Sequence, residues 1–365
     1  MTMLDYVKEQ PQVFNDVLKK KDDITSDFSQ IFCEQMPDQV YLVASGTSCN
    51  AAKAAALFME MVWKLPVAVV PPSRMTQVFG TNPLLIFISQ GGKSTNMLAA
   101  AERMKGYHRI AMTGNADGKL NGMCEHYMMI PCGEETVGPK TKGYMITILT
   151  LYLMALESSK KAGILAEDEY MKYMEALEET AGQLEENVKR SCRWVEENEE
   201  GLKSLKEIYL VGKGQSMMVA QEGALKMMET YLIPGVPFDF EEYLHGPSCS
   251  LRESTGGMYL LPMEDDEDYE RMQKLVQYHR EICPAVYTTG LPCSGDERDC
   301  VLLSGGQWYT RPFEEIIPIQ VMCAVIPEKL GIDGVGMQHF KALDKVLNVK
   351  YKDPKEAAAQ TQPEG

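Results

Sequence analysis

The chain has 365 residues, 45% hydrophobic and 24% charged, which suits about two globular domains. Its 52 Asp and Glu outnumber 36 Lys and Arg, giving a net charge of −16 with no long basic run, which argues against nucleic acid or an anionic membrane as partner. The longest apolar run, about Met145 to Leu156, is too short to span a bilayer. No secretory signal opens the chain, and its ten cysteines lack any Cys-x-x-Cys pair, so a cytoplasmic protein with reduced thiols and no metal is expected.

Residues 1–38 alternate apolar and charged positions (Tyr6, Val7, Val13, Phe14, Val17, Leu18) and read as amphipathic helices. Strand-like runs follow at 40–44, 67–70, 84–89, 109–113 and 127–131, with helical stretches at 49–63 and 94–105 between them, so a five-stranded parallel sheet is implied. The region from about 143 to 200 is helical, and its Glu- and Lys-rich part after Ser158 reads as a solvated connector, with a domain boundary near 190–204. Strands recur at 207–211, 257–261, 285–288 and 300–303, and Ile316 to Ile326 reads as a buried helix. The tail after Pro354 has little to bury and is expected to be mobile and dispensable.

Two segments read alike. Val40-Tyr41-Leu42-Val43-Ala44-Ser45-Gly46-Thr47-Ser48 and Ile208-Tyr209-Leu210-Val211-Gly212-Lys213-Gly214-Gln215-Ser216 are each a buried strand opening through a Gly/Ser turn into an apolar helix, so one α/β unit occurs twice. Such turns present free backbone N–H groups and a helix N-terminus to an anion. Phe87-Ile88-Ser89-Gln90-Gly91-Gly92-Lys93-Ser94 is not a nucleotide P-loop, because Phe87 stands where that motif needs its first glycine. It can form a second phosphate nest, or Ser94 can simply cap a helix. The hydroxyls of Thr47 and Ser48 and those of Ser89 and Ser94 can converge where the strand order of a doubly wound sheet reverses, which favours a ligand.

Glu222 and Glu229 lie seven residues apart in Gln221-Glu222-Gly223-Ala224-Leu225-Lys226-Met227-Met228-Glu229, two helical turns along one face. The roughly 10 Å between their backbones suits different roles better than a close carboxylate pair. His245, in Glu241-Glu242-Tyr243-Leu244-His245-Gly246-Pro247, is the acid/base candidate, since nearby carboxylates can raise an imidazole pKa.

These turns, the Glu-Gly-Ala-Leu-Lys helix, the His245-Gly246-Pro247 turn and the late segment Ala342–Val349 together resemble the double sugar-isomerase (SIS) domain family. Closest in pattern are the isomerase half of glucosamine-6-phosphate synthase and the fructoselysine and glucoselysine 6-phosphate deglycases. The resemblance runs from about 36 to 350, and the sixteen residues from Glu229 to His245 match the family's base-to-histidine interval. It implies an α/β fold of two SIS domains, each a five-stranded parallel sheet flanked by helices in a flavodoxin-like, doubly wound order. The expected layout is a helical segment over 1–35, SIS domains over 36–190 and 191–350, and a flexible tail over 351–365.

By the same resemblance Gly46, Thr47, Ser48, Ser89, Gln90 and Ser94 form the sugar-phosphate cradle, and Glu229 moves a proton between C1 and C2. His245 opens the sugar ring, reaching a neighbouring subunit's site in a homodimer or larger homo-oligomer. Lys345 is the tail lysine that assists ring opening or forms a Schiff base, and Glu222 supports the site. The implied substrate is a hexose 6-phosphate derivative, with no cofactor. Gly91 stands in place of a phosphate-binding serine and Lys93 in place of an acidic residue, so Lys93, Lys140 or Lys142 is an alternative contact for the phosphate or a substrate carboxylate. Because the first cysteine is Cys33 and the first SIS-like strand begins at Val40, no glutaminase activity is expected. The implied activity is a deglycase or deaminase, with aldose–ketose isomerisation and non-catalytic sugar-phosphate sensing as alternatives.

Overall fold

The computed structural model describes residues 1–352 apart from Cys293 and Asp333. Two helices lead in, α1 (Met3–Lys19) and α2 (Lys21–Gln35); Thr2 and Asp5 close a reciprocal cap on the first. The first unit then runs β1 (Gln39–Ala44), α3 (Thr47–Trp63), β2 (Val67–Val70), β3 (Pro83–Ile88), α4 (Thr95–Arg103), β4 (His108–Thr113), β5 (His126–Met129) and α5 (Lys142–Lys161). Next come α6 (Glu167–Glu197) and α7 (Glu199–Ser204). The second unit runs β6 (Glu207–Gly212), α8 (Gln215–Lys226), a π-helical turn over Met227–Tyr231, β7 (Gly235–Asp239), α9 (Phe240–Leu244), β8 (Thr255–Leu260), α10 (Tyr269–Ile282), β9 (Val286–Gly290), β10 (Asp299–Val301) and α11 (Arg311–Lys329). A last helix, α12, spans Val335–Leu347.

Every strand pairing is parallel. The sheets have orders β2-β1-β3-β4-β5 and β10-β9-β8-β6-β7, which is one order traversed in opposite directions. Both are doubly wound, with the reversal beside the first strand of each unit. Continuous apolar runs such as Val40–Ala44 and Leu84–Ile88 follow from this, because a parallel sheet is covered on both faces. The two units repeat even in backbone strain: Gly46 and Gly214, each just before its helix, both have φ of 58°, where a side chain is disfavoured.

β7 is the strand that the sequence reading passed over. Gly235 and Pro237 disguise it, and the fold tolerates the proline because β7 is an edge strand, needing ladder bonds on one side only. The connector also differs from expectation. One face of α6 (Tyr170, Met174, Leu177, Ala181, Leu184, Val188, Trp194) is buried and packs on α11, so only its charged face is solvated. The expected tail falls outside the described residues from Asp353 onward, while Tyr351 is hydrogen-bonded to the body of the protein. Among the described residues no helix is long and apolar enough to cross a membrane, and every cysteine is a free thiol.

Helix α5 is buried along nearly its whole length, and α3 of the first unit packs against α8 of the second. Deep in the second unit, Glu315 of α11 is fully buried against Arg311 and accepts from its guanidinium. Burial pushes the Glu315 carboxyl up to about 7, with Arg311 opposing only part of the shift. A carboxyl that holds its proton more tightly folded than unfolded stabilises the fold below the unfolded value of 4.5 and loses that contribution as pH rises through about 7. Urea unfolding at pH 5 and pH 8 should therefore show a decline that Glu315→Gln reduces by about 2–3 kcal/mol. Equal declines in both proteins would contradict this assignment.

Candidate active site

The register of β1 on β3 pairs Ala44 with Ile88, so the two strands end level and the turns that follow lie side by side. Asn96 of α4 spans the gap, donating to Ser45 Oγ at 3.3 Å. Gly46, Thr47 and Ser48 thus lie near Ser89 and Ser94 at the reversal point of the first sheet, where a doubly wound fold leaves a crevice. Ser48 and Ser89 are buried, and Ser94 precedes α4 without capping it through its side chain. The Ser94 hydroxyl instead accepts from Lys350 Nζ at 3.0 Å.

The second unit delivers its charges to this crevice through the α3–α8 contact. Thr47 Oγ1 donates to Glu222 Oε1 at 3.0 Å, and Asn50 Nδ2 donates to Glu222 Oε2 at 2.8 Å. One turn further along α3, Lys53 Nζ donates to Gln221 Oε1 at 2.9 Å. Lys226 Nζ donates to Thr47 Oγ1 at 3.1 Å, lies 3.2 Å from Glu222 Oε1 and is hydrogen-bonded to Glu229. The side chains of Glu222 and Lys226 are 0% exposed, whereas that of Glu229 is 36% exposed. Glu229 is therefore the carboxylate of this cluster that a bound molecule can reach.

Glu222 and Glu229 converge on one ammonium. Their backbones are about two helical turns apart on one face, from which both can look into one cleft, and Lys226 follows Glu222 by four residues and precedes Glu229 by three, spacings that share that face. Glu229 sits in the π-helical turn, a wider coil often found at functional positions. Burial raises the pKa of Glu222, against the opposing pull of Lys226 and Asn50. Burial alone would lower that of Lys226, but Glu222 and Glu229 outweigh it and hold the ammonium above its usual range. Lys226 and Asn50 were not singled out from sequence; the Glu/Lys spacing was the available signal for the first, and nothing local marked the second.

The remaining candidates are placed differently. Gln90 directs its amide at α5, donating to Gly143 O at 2.9 Å and Thr147 Oγ1 at 3.1 Å. Lys140 Nζ donates to the carbonyls of Glu135 and Val137 at 2.6 and 2.9 Å, and Lys142, buried, pairs with Glu9 at 2.5 Å. Lys93 lends its backbone carbonyl to the Tyr351 N–H at 2.7 Å. His245 is the exposed C-cap of α9, and Lys345 is exposed in the last turn of α12. Among the described residues no hydrogen bond or ion pair joins either to Glu222, Lys226 or Glu229. The N-terminus of α12 does reach the cluster: Gly336 lies against the Glu229 carbonyl so closely that an added Cβ would be 2.4 Å away.

The equivalent turn in the second unit is occupied by its own charges. Lys213 Nζ lies 2.7 Å from both Asp266 and Asp268, which hold the position of the first unit's second turn. Two carboxylates there disfavour a bound anion at that turn. A groove between α1 and α6, lined by Lys8, Gln12, Glu185 and Lys189, is separate from both. Among the described residues no cluster of three or more His, Cys, Asp or Glu is arranged to hold a metal.

The model of the SIS domain matches residues 35–158. Glutamine–fructose-6-phosphate aminotransferase (isomerizing) of Clostridium tetani is 25% identical over 356 residues, covering 91% of this chain but 56% of the relative. The chain thus spans about half the length of the curated relatives it matches. Among solved structures, one named as a sugar binding protein from Salmonella typhimurium superposes with a TM-score of 0.80 at 28% identity, covering 89% of this chain and 99% of that one. Another, named as a phosphosugar isomerase from Clostridium difficile, gives a TM-score of 0.83 at 24% identity over 91% of this chain and 94% of that one. The first unit thus matches the SIS domain and the second repeats its strand order, which gives the chain a double SIS α/β fold.

Proposed function

We propose that this protein processes a hexose 6-phosphate carrying an amine, cleaving its C–N bond after a proton transfer between C1 and C2. The observation that supports this most is the partly exposed Glu229, anchored by the buried Lys226, which also donates to Thr47 beside Ser48. A remote phosphate held at those turns would fix the sugar, and a positioned carboxylate beside C1 would act as the base. The carboxyl of Glu229, the exposed member of the cluster, suits a substrate nitrogen that carries a proton. In this reading Glu229 removes the C1 proton of an open-chain ketosamine, or the C2 proton of an open-chain 2-amino aldose, forming an enaminol, and returns it to the neighbouring carbon. Water then adds to the resulting imine, at C1 or C2 respectively, the C–N bond breaks, and the products are a hexose 6-phosphate and the free amine. His245 would assist ring opening from a second copy of the chain, since within one protomer it lies exposed at the end of α9.

The test is amine release from fructoselysine 6-phosphate, glucoselysine 6-phosphate and glucosamine 6-phosphate, with fructose 6-phosphate isomerisation measured in parallel. Release from any of the three is the expected result. Isomerisation alone would identify an aldose–ketose isomerase, and tight binding without turnover of any of them would identify a sensor; either would overturn the proposal.

A further inference from the structure

The chain beyond α12 crosses the second turn of the crevice as a strap. Ser94 and Lys350 form an antiparallel bridge, Thr95 N–H donates to Val349 O at 3.1 Å, and Tyr351 N–H donates to Lys93 O at 2.7 Å. Thr95 Oγ1 also donates to Asn348 O at 2.7 Å. Lys119 fastens the far end, lying 4.2 Å over the Tyr351 ring and donating to its hydroxyl at 3.1 Å. Asp344 holds the near end by accepting from the Lys350 N–H at 2.7 Å. So many backbone contacts fix where the Lys350 side chain starts, and its Nζ rests on Ser94 Oγ.

We infer that Lys350 is the counter-ion for the substrate's phosphate, completing the crevice from the strap. The inference rests on the proposed reading of the Ser48, Ser89 and Ser94 turns as a phosphate cradle. Thr95, the first residue of α4, gives its N–H to the strap carbonyl, so that donor is withdrawn from any anion at the helix N-terminus. The strap returns an ammonium at the neighbouring hydroxyl. Among the described residues no carboxylate forms an ion pair with Lys350 Nζ; Asp344 attracts it from beyond contact distance, and Lys140 repels it. Much of the residue meets solvent, yet burial of its charged end lowers its pKa. A desolvated ammonium with one neutral acceptor has donors to spare for an anion, and a phosphate dianion between Ser94 and Lys350 would satisfy them by charge-assisted hydrogen bonds. Two of the lysines proposed from sequence leave this role open, since Lys140 and Lys142 direct their ammonium groups to Glu135, Val137 and Glu9.

Calorimetric titration of the full-length chain with glucitol 6-phosphate, which cannot react, tests this from pH 5 to 7.5. Lys350→Met should weaken binding about 10- to 100-fold at pH 7.5, the range for a hydrogen bond to a charged group. The phosphate's second ionisation, near pH 6, should strengthen wild-type binding across that interval, and the gain should shrink in the variant. Lys350→Arg should retain most of the affinity, and circular dichroism melts should show both variants folded. Equal affinity of wild type and Lys350→Met would overturn the counter-ion role while leaving the cradle intact. Equal losses in Lys350→Met and Lys350→Arg would also overturn it, by tracing the effect to strap packing. No binding by wild type would instead remove the cradle reading, and this inference with it.

Discussion

Glu229→Gln is expected to lower kcat/KM for amine release by about 10²- to 10⁴-fold, the range for loss of a positioned general base. The substitution keeps the size of the side chain and a hydrogen-bonding group for Lys226, so the neighbourhood should persist. Binding of glucitol 6-phosphate should change little, because the proton-transfer end of the site and the phosphate end are carried by different elements. The split between turnover and binding is the informative readout. A variant that turns over at the wild-type rate would remove Glu229 from the proposed mechanism and assign the proton transfer to some other group.

Lys226→Met should have the largest effect on stability. It removes the ammonium to which the fully buried Glu222 is tied, and stranding one member of a buried ion pair costs about 3–5 kcal/mol. Thr47 and Asn50 continue to donate to Glu222 and cushion part of the loss. The sign with pH follows from the raised pKa of Glu222, which burial alone would raise further without Lys226. Protonation at acid pH would neutralise the stranded carboxylate, so the penalty should be greatest near pH 8 and smaller near pH 5. Urea unfolding of Lys226→Met and of Lys226→Met/Glu222→Gln measures this, and the second substitution should recover part of the stability. A single variant as stable as wild type at pH 8 would mean that water or a counter-ion reaches Glu222.

The strand-turn-helix units were legible in the sequence to the extent that they are built from local signals. The strand-turn-helix pattern repeated at Val40 and Ile208 could be read because parallel strands buried on both faces are continuous apolar runs. Gly46 and Gly214 could be read because positive φ favours glycine. The β7 strand was hidden because Gly235 and Pro237 are residues that central strands avoid, and only its edge position makes them tolerable. The charged composition of α6 hid a core-facing stripe for a different reason: average charge says nothing of which face each residue takes. Nor could the sequence show that the Gln90 amide, in the second turn, donates into α5.

The sequence by itself determined two doubly wound units and placed hydroxyls and glycines at the turns of the first, because periodicity, burial pattern and turn chemistry act over a few residues. It also held the Glu222, Lys226 and Glu229 spacing that one helix face would bring together. Tertiary structure decided which crevice these charges serve. Packing α3 on α8 brings Glu222 and Lys226 to Thr47 and Asn50, some 170 positions away, while Lys213 with Asp266 and Asp268 fills the corresponding turn of the second unit. The strap that sets Lys350 on Ser94 is likewise a contact between distant segments. Such contacts depend on how two whole units dock, and the local sequence pattern does not encode that docking.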